Sequence, residues 1–429
     1  MFDQAVDRRR FMGGSALLGG VLLAQPSWAL SPAIPDPAIA ATQALFDAYI
    51  ADDRLPGAVG AIGRGTLAPN FAVRGKQGRE AGALAMSPDS LFRMYSMTKP
   101  ITGIAAMMLV EDGKLRLDQD VGDFVPGFRK PMVALDPVKS LDARPASKPL
   151  TIRHVLTHSG GLGYAIISKG ALHDAFVHNG LASGAVSHMK LPGLDAIPPA
   201  PSLAAFAERL ATLPLIADPD TRWSYSCGLD LMGHIIEQAS GMEFEAFLRK
   251  RIFQPLGMTS SWFQVPTSEL ARMTTNYGIL GTARAPIDPG ATTIFADKPA
   301  LKLGGSGLVM SPRDYDRFLQ MLAGFGAIGR VRVMREATAR LAMSNLLAPG
   351  VDTSGTFAAG QGFGAGGRVR ITPNGLGEGV GTYGWGGAAA TVAWVDPSTK
   401  FRASGFAQYM PDSAMPFTKD FSRTVYTSL

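Results

Sequence analysis

Along residues 97–112 the apolar positions Ile101, Ile104, Ala105 and Leu109 recur at helical spacing, and Gly113 stands where a C-terminal cap belongs. The pattern predicts a helix from Met97 to Asp112. Another helix is expected over Pro37–Asp52, after a Pro-rich joint from Ser31 to Pro37, and strand-like stretches follow at Gly57–Gly63 and Phe71–Gly75. The middle, about residues 120–300, reads as helix patterns and loops. Leu229–Ala239 is helical there, and Phe244, Phe247, Leu248 and Ile252 line one helix face just after Gly241 ends the previous helix. Beyond Gly304 come helical sequence at Ser311–Leu322 and Glu336–Ser344, then strand-like alternation. Arg368–Ile371, Ala388–Trp394 and Arg402–Gln408 read as successive antiparallel strands, with Asp396-Pro397-Ser398 as a turn. Strands from both ends are expected to join one sheet. This makes an α+β fold, with a sheet lobe from about 38–115 and 304–429 and a helical lobe over about 120–303. The loop-rich stretches 128–150 and 163–203 have the length of lids or rims.

Composition adds less. A chain of 429 residues with 46% hydrophobic and 18% charged residues is globular, and neither an internal repeat nor a low-complexity linker appears. The net charge of +6 comes without a run of five basic residues, so no nucleic-acid partner is implied. Arg8-Arg9-Arg10-Phe11-Met12, a short apolar run Gly13–Ala24, and Ser27-Trp28-Ala29 describe an export signal over residues 1–29, cut after Ala29. Its paired arginines resemble a twin-arginine signal and imply a periplasmic or secreted protein. No other stretch approaches the ~18 apolar residues of a membrane span, so no stable membrane insertion is expected after cleavage. Cys227 is the single cysteine, which excludes an intrachain disulfide and a Cys-rich zinc site.

Three stretches carry candidate chemistry. Ser96-Met97-Thr98-Lys99 opens the predicted helix, with the serine and lysine three residues apart on one helical face. A serine there feels the positive end of the helix dipole, and the lysine is placed to take its proton. The same four residues also describe an N-cap serine followed by a solvated lysine, and S-x-x-K alone does not choose between the two. Trp223-Ser224-Tyr225-Ser226-Cys227 leads into a helix; its tyrosine is either a proton relay or a packed ring. Tyr383-Gly384-Trp385-Gly386-Gly387-Ala388 runs into an uncharged strand-like segment. The two glycines suit a bend or the close approach of a substrate, and the Ala388 backbone N–H is a candidate oxyanion donor. His154 and His158 read as structural, while His173, His178, His188 and His234 lack metal-ligand spacing; no metal or cofactor is expected. The absence of G-x-S-x-G disfavours an α/β-hydrolase.

Taken in order, Ser96-x-x-Lys99, Tyr225 and the glycine-containing strand motif resemble the serine β-lactamase and penicillin-binding protein superfamily, in its class C-like branch. The phrases Leu150–Leu162 (LTIRHVLTHSGGL) and Gly304-Gly305-Ser306-Gly307-Leu308 look like signatures of the same family, and the resemblance spans about residues 38–429. It implies a β-lactamase/transpeptidase-like fold with the site between sheet and helical lobe. It also implies Ser96 as nucleophile, Lys99 and Tyr225 as proton-transfer partners, and the N–H groups of Ser96 and Ala388 as oxyanion hole. Two departures bear on the substrate. Antibiotic-hydrolysing members carry Lys-Thr-Gly or His-Thr-Gly where this chain has Trp385-Gly386-Gly387, and Cys227 replaces the asparagine of Tyr-x-Asn. Trp385 supplies an apolar wall but no charge for a substrate carboxylate. Trp-Gly-Gly is similar to the family VIII carboxylesterases, which implies a small-molecule ester with a short acyl group as substrate. The alternatives are a β-lactamase or D-Ala-D-Ala carboxypeptidase, an acyltransferase or amidase on the same scaffold, and a non-catalytic binding protein of this fold. The sequence assigns no oligomeric state.

Overall fold

The computed structural model describes residues 37–181, 183–189, 199–375 and 377–429. The expected export signal, residues 1–29, lies outside the described residues. No helix among the described residues is long and apolar enough to cross a membrane.

The first helix, α1 (Pro37–Ala51), opens on a proline whose fixed φ suits a helix start, and it buries Ala38, Thr42, Phe46 and Tyr49 along one face. Two strands follow, β1 (Gly57–Arg64) and β2 (Asn70–Gly75). Five more come from the C-terminal part: β3 (Gly362–Phe363), β4 (Arg368–Val369), β5 (Tyr383–Gly387), β6 (Thr391–Asp396) and β7 (Phe401–Phe406). They form one antiparallel sheet in the order β3-β4-β5-β6-β7-β1-β2, so the two ends of the chain do share a sheet.

The central strands are buried on both faces, and side chains alternate between two cores as the two-residue strand period requires. Ala58, Ile62, Trp394 and Ala403 join the core beneath α1, whereas Val59, Ala393, Val395 and Phe406 join the larger core on the other side. The C-terminal helix Phe417–Thr427 lies beside α1, with Phe46 and Phe417 rings 5.8 Å apart. A β-carbon at Gly405 would stand 2.7 Å from the Phe421 ring, so the missing side chain lets this helix settle onto the sheet.

On the opposite face the helix Pro312–Ala323 packs against β1, β6 and β7, tied to β7 by the buried Arg402–Asp316 ion pair at 2.9 Å. Beyond it lies α2 (Thr98–Glu111), buried from Thr98 to Leu109. Its packing partners are α3 (Gly228–Ser240) and α4 (Glu336–Ala342). A helix buried all round belongs at the centre of a large domain, and α2 is therefore a rigid base for whatever its first turn carries. The described residues beyond Pro35 form a single compact unit.

The structure corrects several boundaries. Ala388–Trp394 is not one strand: β5 ends at Gly387, residues 388–390 turn, and β6 begins at Thr391. The turn closes with Ala390 at φ +60°, a left-handed conformation that glycine or asparagine normally fills, so the apolar run concealed it. Arg370 and Ile371 fall outside β4, although Arg370 still exchanges backbone hydrogen bonds with Thr382 and Gly381, and Ala407 and Gln408 fall outside β7. The stretch 128–150 holds a small ribbon, Met132–Ala134 against Ala143–Pro145, and 163–203 contains the helix Gly170–His178.

Candidate active site

Ser96 lies in a single 3₁₀ turn, Tyr95–Met97, that feeds directly into α2. Tyr95 has φ +42°, a conformation that costs energy in a non-glycine residue and recurs where geometry serves function. The first turn of α2 is latched to residues 304–308 by three successive polar contacts. Thr98 Oγ1 accepts the Leu308 N–H at 3.2 Å, Lys99 Nζ donates to Gly305 O at 2.8 Å, and Thr102 Oγ1 donates to Gly304 O at 2.7 Å.

Lys99 is fully buried, and its second contact is Ser96 Oγ at 3.3 Å. The Tyr225 hydroxyl donates to the same Oγ at 2.6 Å, and Lys99 Nζ lies 4.6 Å from the centre of the Tyr225 ring. Ser96, Lys99 and Tyr225 are thus brought together around one oxygen, although Tyr225 is 129 residues from Ser96 in sequence. This arrangement can take a proton from a nucleophilic oxygen and return it to a leaving group.

Tyr225 is fixed by its neighbours on the approach to α3. The Ser224 N–H donates to His158 O at 2.9 Å, and the Cys227 N–H to Gly163 O at 3.2 Å. His158, at φ +59° after the helix Ile152–Thr157, turns its buried ring against Tyr225 with centroids 4.9 Å apart, and its Nδ1 bonds Ser226 Oγ at 2.8 Å. Burial, reinforced by the Lys99 charge, holds the His158 pKa well below the usual histidine value, so the ring packs as a neutral group. His154 accepts the Thr151 N–H at 3.1 Å and bonds Asp220 at 3.0 Å, closing the start of its own helix. Both histidines therefore have structural partners. Cys227 is buried and its thiol is pushed up by burial, the opposite of a reactive thiolate.

On the sheet side, β4 pairs with β5 only at Tyr383 and Gly384, so its ladder stops short of Trp385, Gly386 and Gly387. These three residues end β5 beside the turn that holds Ser96. The Trp385 indole N–H donates to the Tyr225 hydroxyl at 3.3 Å. A β-carbon on Gly387 would collide with Met94 O and Thr391 Oγ1, which shows how closely the two backbones approach. Ala388, the first residue of the turn, is exposed.

Sequence reasoning missed one layer behind the serine. Asp230, fully buried on α3, accepts the Gly305 N–H at 2.7 Å, and Gly305 O in turn receives Lys99. Burial raises the Asp230 carboxyl to about 6, with Lys99 and the Gly305 N–H pulling the other way. Its signal was available, five residues after Tyr225 and at the start of the same helix. Tyr164 was also missed; its ring packs on Tyr225 at 5.5 Å, and it follows Gly160-Gly161-Leu162 by two residues. Among the described residues no group of three or more His, Cys, Asp or Glu is placed to hold a metal ion.

The family profile described as Beta-lactamase matches residues 42–420. The chain belongs to the beta-lactamase family. Among its relatives is the esterase EstB of Burkholderia gladioli, 31% identical over 370 residues that cover 82% of this chain and 86% of that protein. The acyltransferase calJ of Penicillium decumbens is 30% identical over 346 residues, 76% of this chain and 77% of that protein. The solved structure of EstCE1, a hydrolase with promiscuous acyltransferase activity, superposes with a TM-score of 0.73. It is 24% identical and covers 92% of this chain and 98% of its own, a likeness of fold. This member of the beta-lactamase family is an enzyme of the serine-hydrolase type.

Proposed function

We propose that this protein is an exported serine carboxylesterase that cleaves short-chain esters through a Ser96 acyl-enzyme. Ser96 Oγ attacks the ester carbonyl carbon while its proton passes to the Lys99–Tyr225 pair. The backbone N–H groups of Ser96 and Ala388 hold the resulting oxyanion. The C–O bond to the alcohol then breaks, and the alkoxide leaves with a proton from the pair. Water, deprotonated by the same pair, attacks the acyl carbon, releasing the acid and returning the proton to Ser96.

The observation that carries the ester reading is Trp385 against Tyr225. A neutral indole donor and an apolar ring occupy the strand position from which related enzymes reach a substrate carboxylate, so the strand favours a neutral ester. EstB, an esterase, supports the same reading. The test is kcat/KM for short p-nitrophenyl esters against a chromogenic cephalosporin and a D-Ala-D-Ala peptide. Esters should be preferred by orders of magnitude, and a preference for the cephalosporin would sink the proposal.

A second reading, acyl transfer to an alcohol in place of water, is favoured by the similarity to calJ. It is scored in the same assay by adding an alcohol acceptor and measuring the new ester. Export through the twin-arginine route rests on Arg8-Arg9-Arg10-Phe11. Replacing Arg8 and Arg9 by lysine should leave the protein inside the cell, and unchanged export would count against that signal.

A further inference from the structure

Tyr225 is wrapped by rings, and one of them faces water. His158, Trp223 and Tyr164 are buried and Trp385 is half-buried, whereas Phe357 is 67% exposed with its ring edge-on to Tyr225 at 5.8 Å. The loop that carries Phe357 is well held. The Trp223 N–H donates to Asp352 O at 2.7 Å, and the Asp352 N–H to Thr221 O at 3.2 Å, which ties the loop to the segment bearing Tyr225. Thr356 Oγ1 donates to Thr353 O at 2.7 Å and accepts the Ala358 N–H at 3.1 Å. The Gln361 N–H closes on Ala358 O at 2.9 Å, and Ala358 itself is fully buried. The backbone is thus fastened on both sides of Phe357, and its ring is set over the tyrosine that touches the nucleophile. An exposed apolar ring held in this way next to a site marks a place where a ligand removes apolar surface from water.

We propose that Phe357 is a specificity-determining contact that takes an apolar group of the ester, branched or aromatic and several carbons in size. The inference rests on the esterase reading and narrows its substrate to esters with one bulky apolar side. That group belongs either to the acyl part or to the alcohol part, and both present the same chemistry to the ring. Covering about a third of the exposed surface of one phenylalanine is worth about tenfold in kcat/KM.

The experiment measures kcat/KM on two panels, with wild type, Phe357→Ala and Phe357→Leu. One panel varies the acyl group (acetyl, butyryl, benzoyl) on one alcohol, and the other varies the alcohol (methyl, butyl, 1-naphthyl) on acetate. In Phe357→Ala the ratio of bulky to small ester should fall about tenfold in one panel, and Phe357→Leu should keep most of that ratio. The panel that responds identifies the side of the ester that lies on Phe357. An equal change across both panels, or no change, would overturn the assignment while leaving the esterase reading intact. If the wild type cleaves no ester on either panel, both proposals fall, and the loss belongs to the esterase reading. Because Phe357 is exposed, both variants should melt with the wild type, which separates selectivity from folding.

Discussion

At the scale of single residues, the carboxyl of Asp230 and the missing side chain of Gly387 offer two separate handles on the site. The Asp230 carboxyl is raised from the ordinary 3.8 to about 6 by burial, so folding favours its protonated form. That contribution to stability is fully present below pH 3.8 and is lost as the pH rises through about 6. The loss is on the order of 3 kcal/mol. Asp230→Asn still offers an oxygen to the Gly305 N–H and cannot ionise, so it should gain stability relative to wild type between pH 4 and pH 7. Denaturant midpoints at the two pH values check this, and a constant difference would contradict it. At Gly387 a β-carbon would meet Met94 O and Thr391 Oγ1, whereas at Gly386 it meets only Thr391 O at 3.2 Å. Gly387→Ala should therefore push β5 off the Ser96 turn and lower kcat by about tenfold to a hundredfold, since small misplacements at a reacting centre are costly. Gly386→Ala should act more mildly, and steady-state kinetics on the pair reads the contrast.

At the scale of elements, the strand Phe92–Arg93 just before Ser96 is anchored by a buried charge. Arg93 is fully buried and bonds Asp288 Oδ2 at 2.6 Å, Thr274 O at 2.6 Å and Thr293 Oγ1 at 3.0 Å. Its own N–H donates to Gln408 Oε1 at 2.8 Å, just past the end of β7. Removing the carboxylate leaves the guanidinium buried without its partner, so Asp288→Ala should cost about 3–5 kcal/mol, measured as a shift in the urea midpoint. None of this anchor was legible in the sequence, because Arg93 and Asp288 are 195 residues apart and nothing local pairs them. The helix that carries Lys99 was legible to within a residue at each end, since apolar spacing and Gly113 are local signals. The β5–β6 hairpin was not. Its turn, Ala388-Ala389-Ala390, has no glycine, proline, asparagine or aspartate to announce it, and the chain there reads as one strand. Helix geometry put Ser96 and Lys99 on one face without deciding their chemistry, whereas Tyr225 could be joined to them only through the family resemblance. Phe357 carries no pattern and needs the folded loop.

At the scale of the whole molecule, the sheet is assembled from both ends of the chain, and α2 is buried between that sheet and the helices of the middle. This architecture places a serine at the start of a rigid helix, a tyrosine ahead of a second helix, and an unpaired strand edge against the same turn. The start of that first helix supplies Ser96 and Lys99, and the approach to α3 supplies Tyr225. Only the closed fold brings Trp385 within reach of Tyr225 and Tyr225 within hydrogen-bond distance of Ser96 Oγ. The central claim is that this oxygen carries the acyl group during turnover. The most direct measurement is intact-protein mass spectrometry of the chain quenched during turnover of p-nitrophenyl butyrate, followed by peptide mapping. The account predicts a single butyryl adduct on Ser96, absent in Ser96→Ala, whose turnover should fall to background. An adduct on another residue, or a Ser96→Ala variant that still cleaves the ester near the wild-type rate, would contradict it.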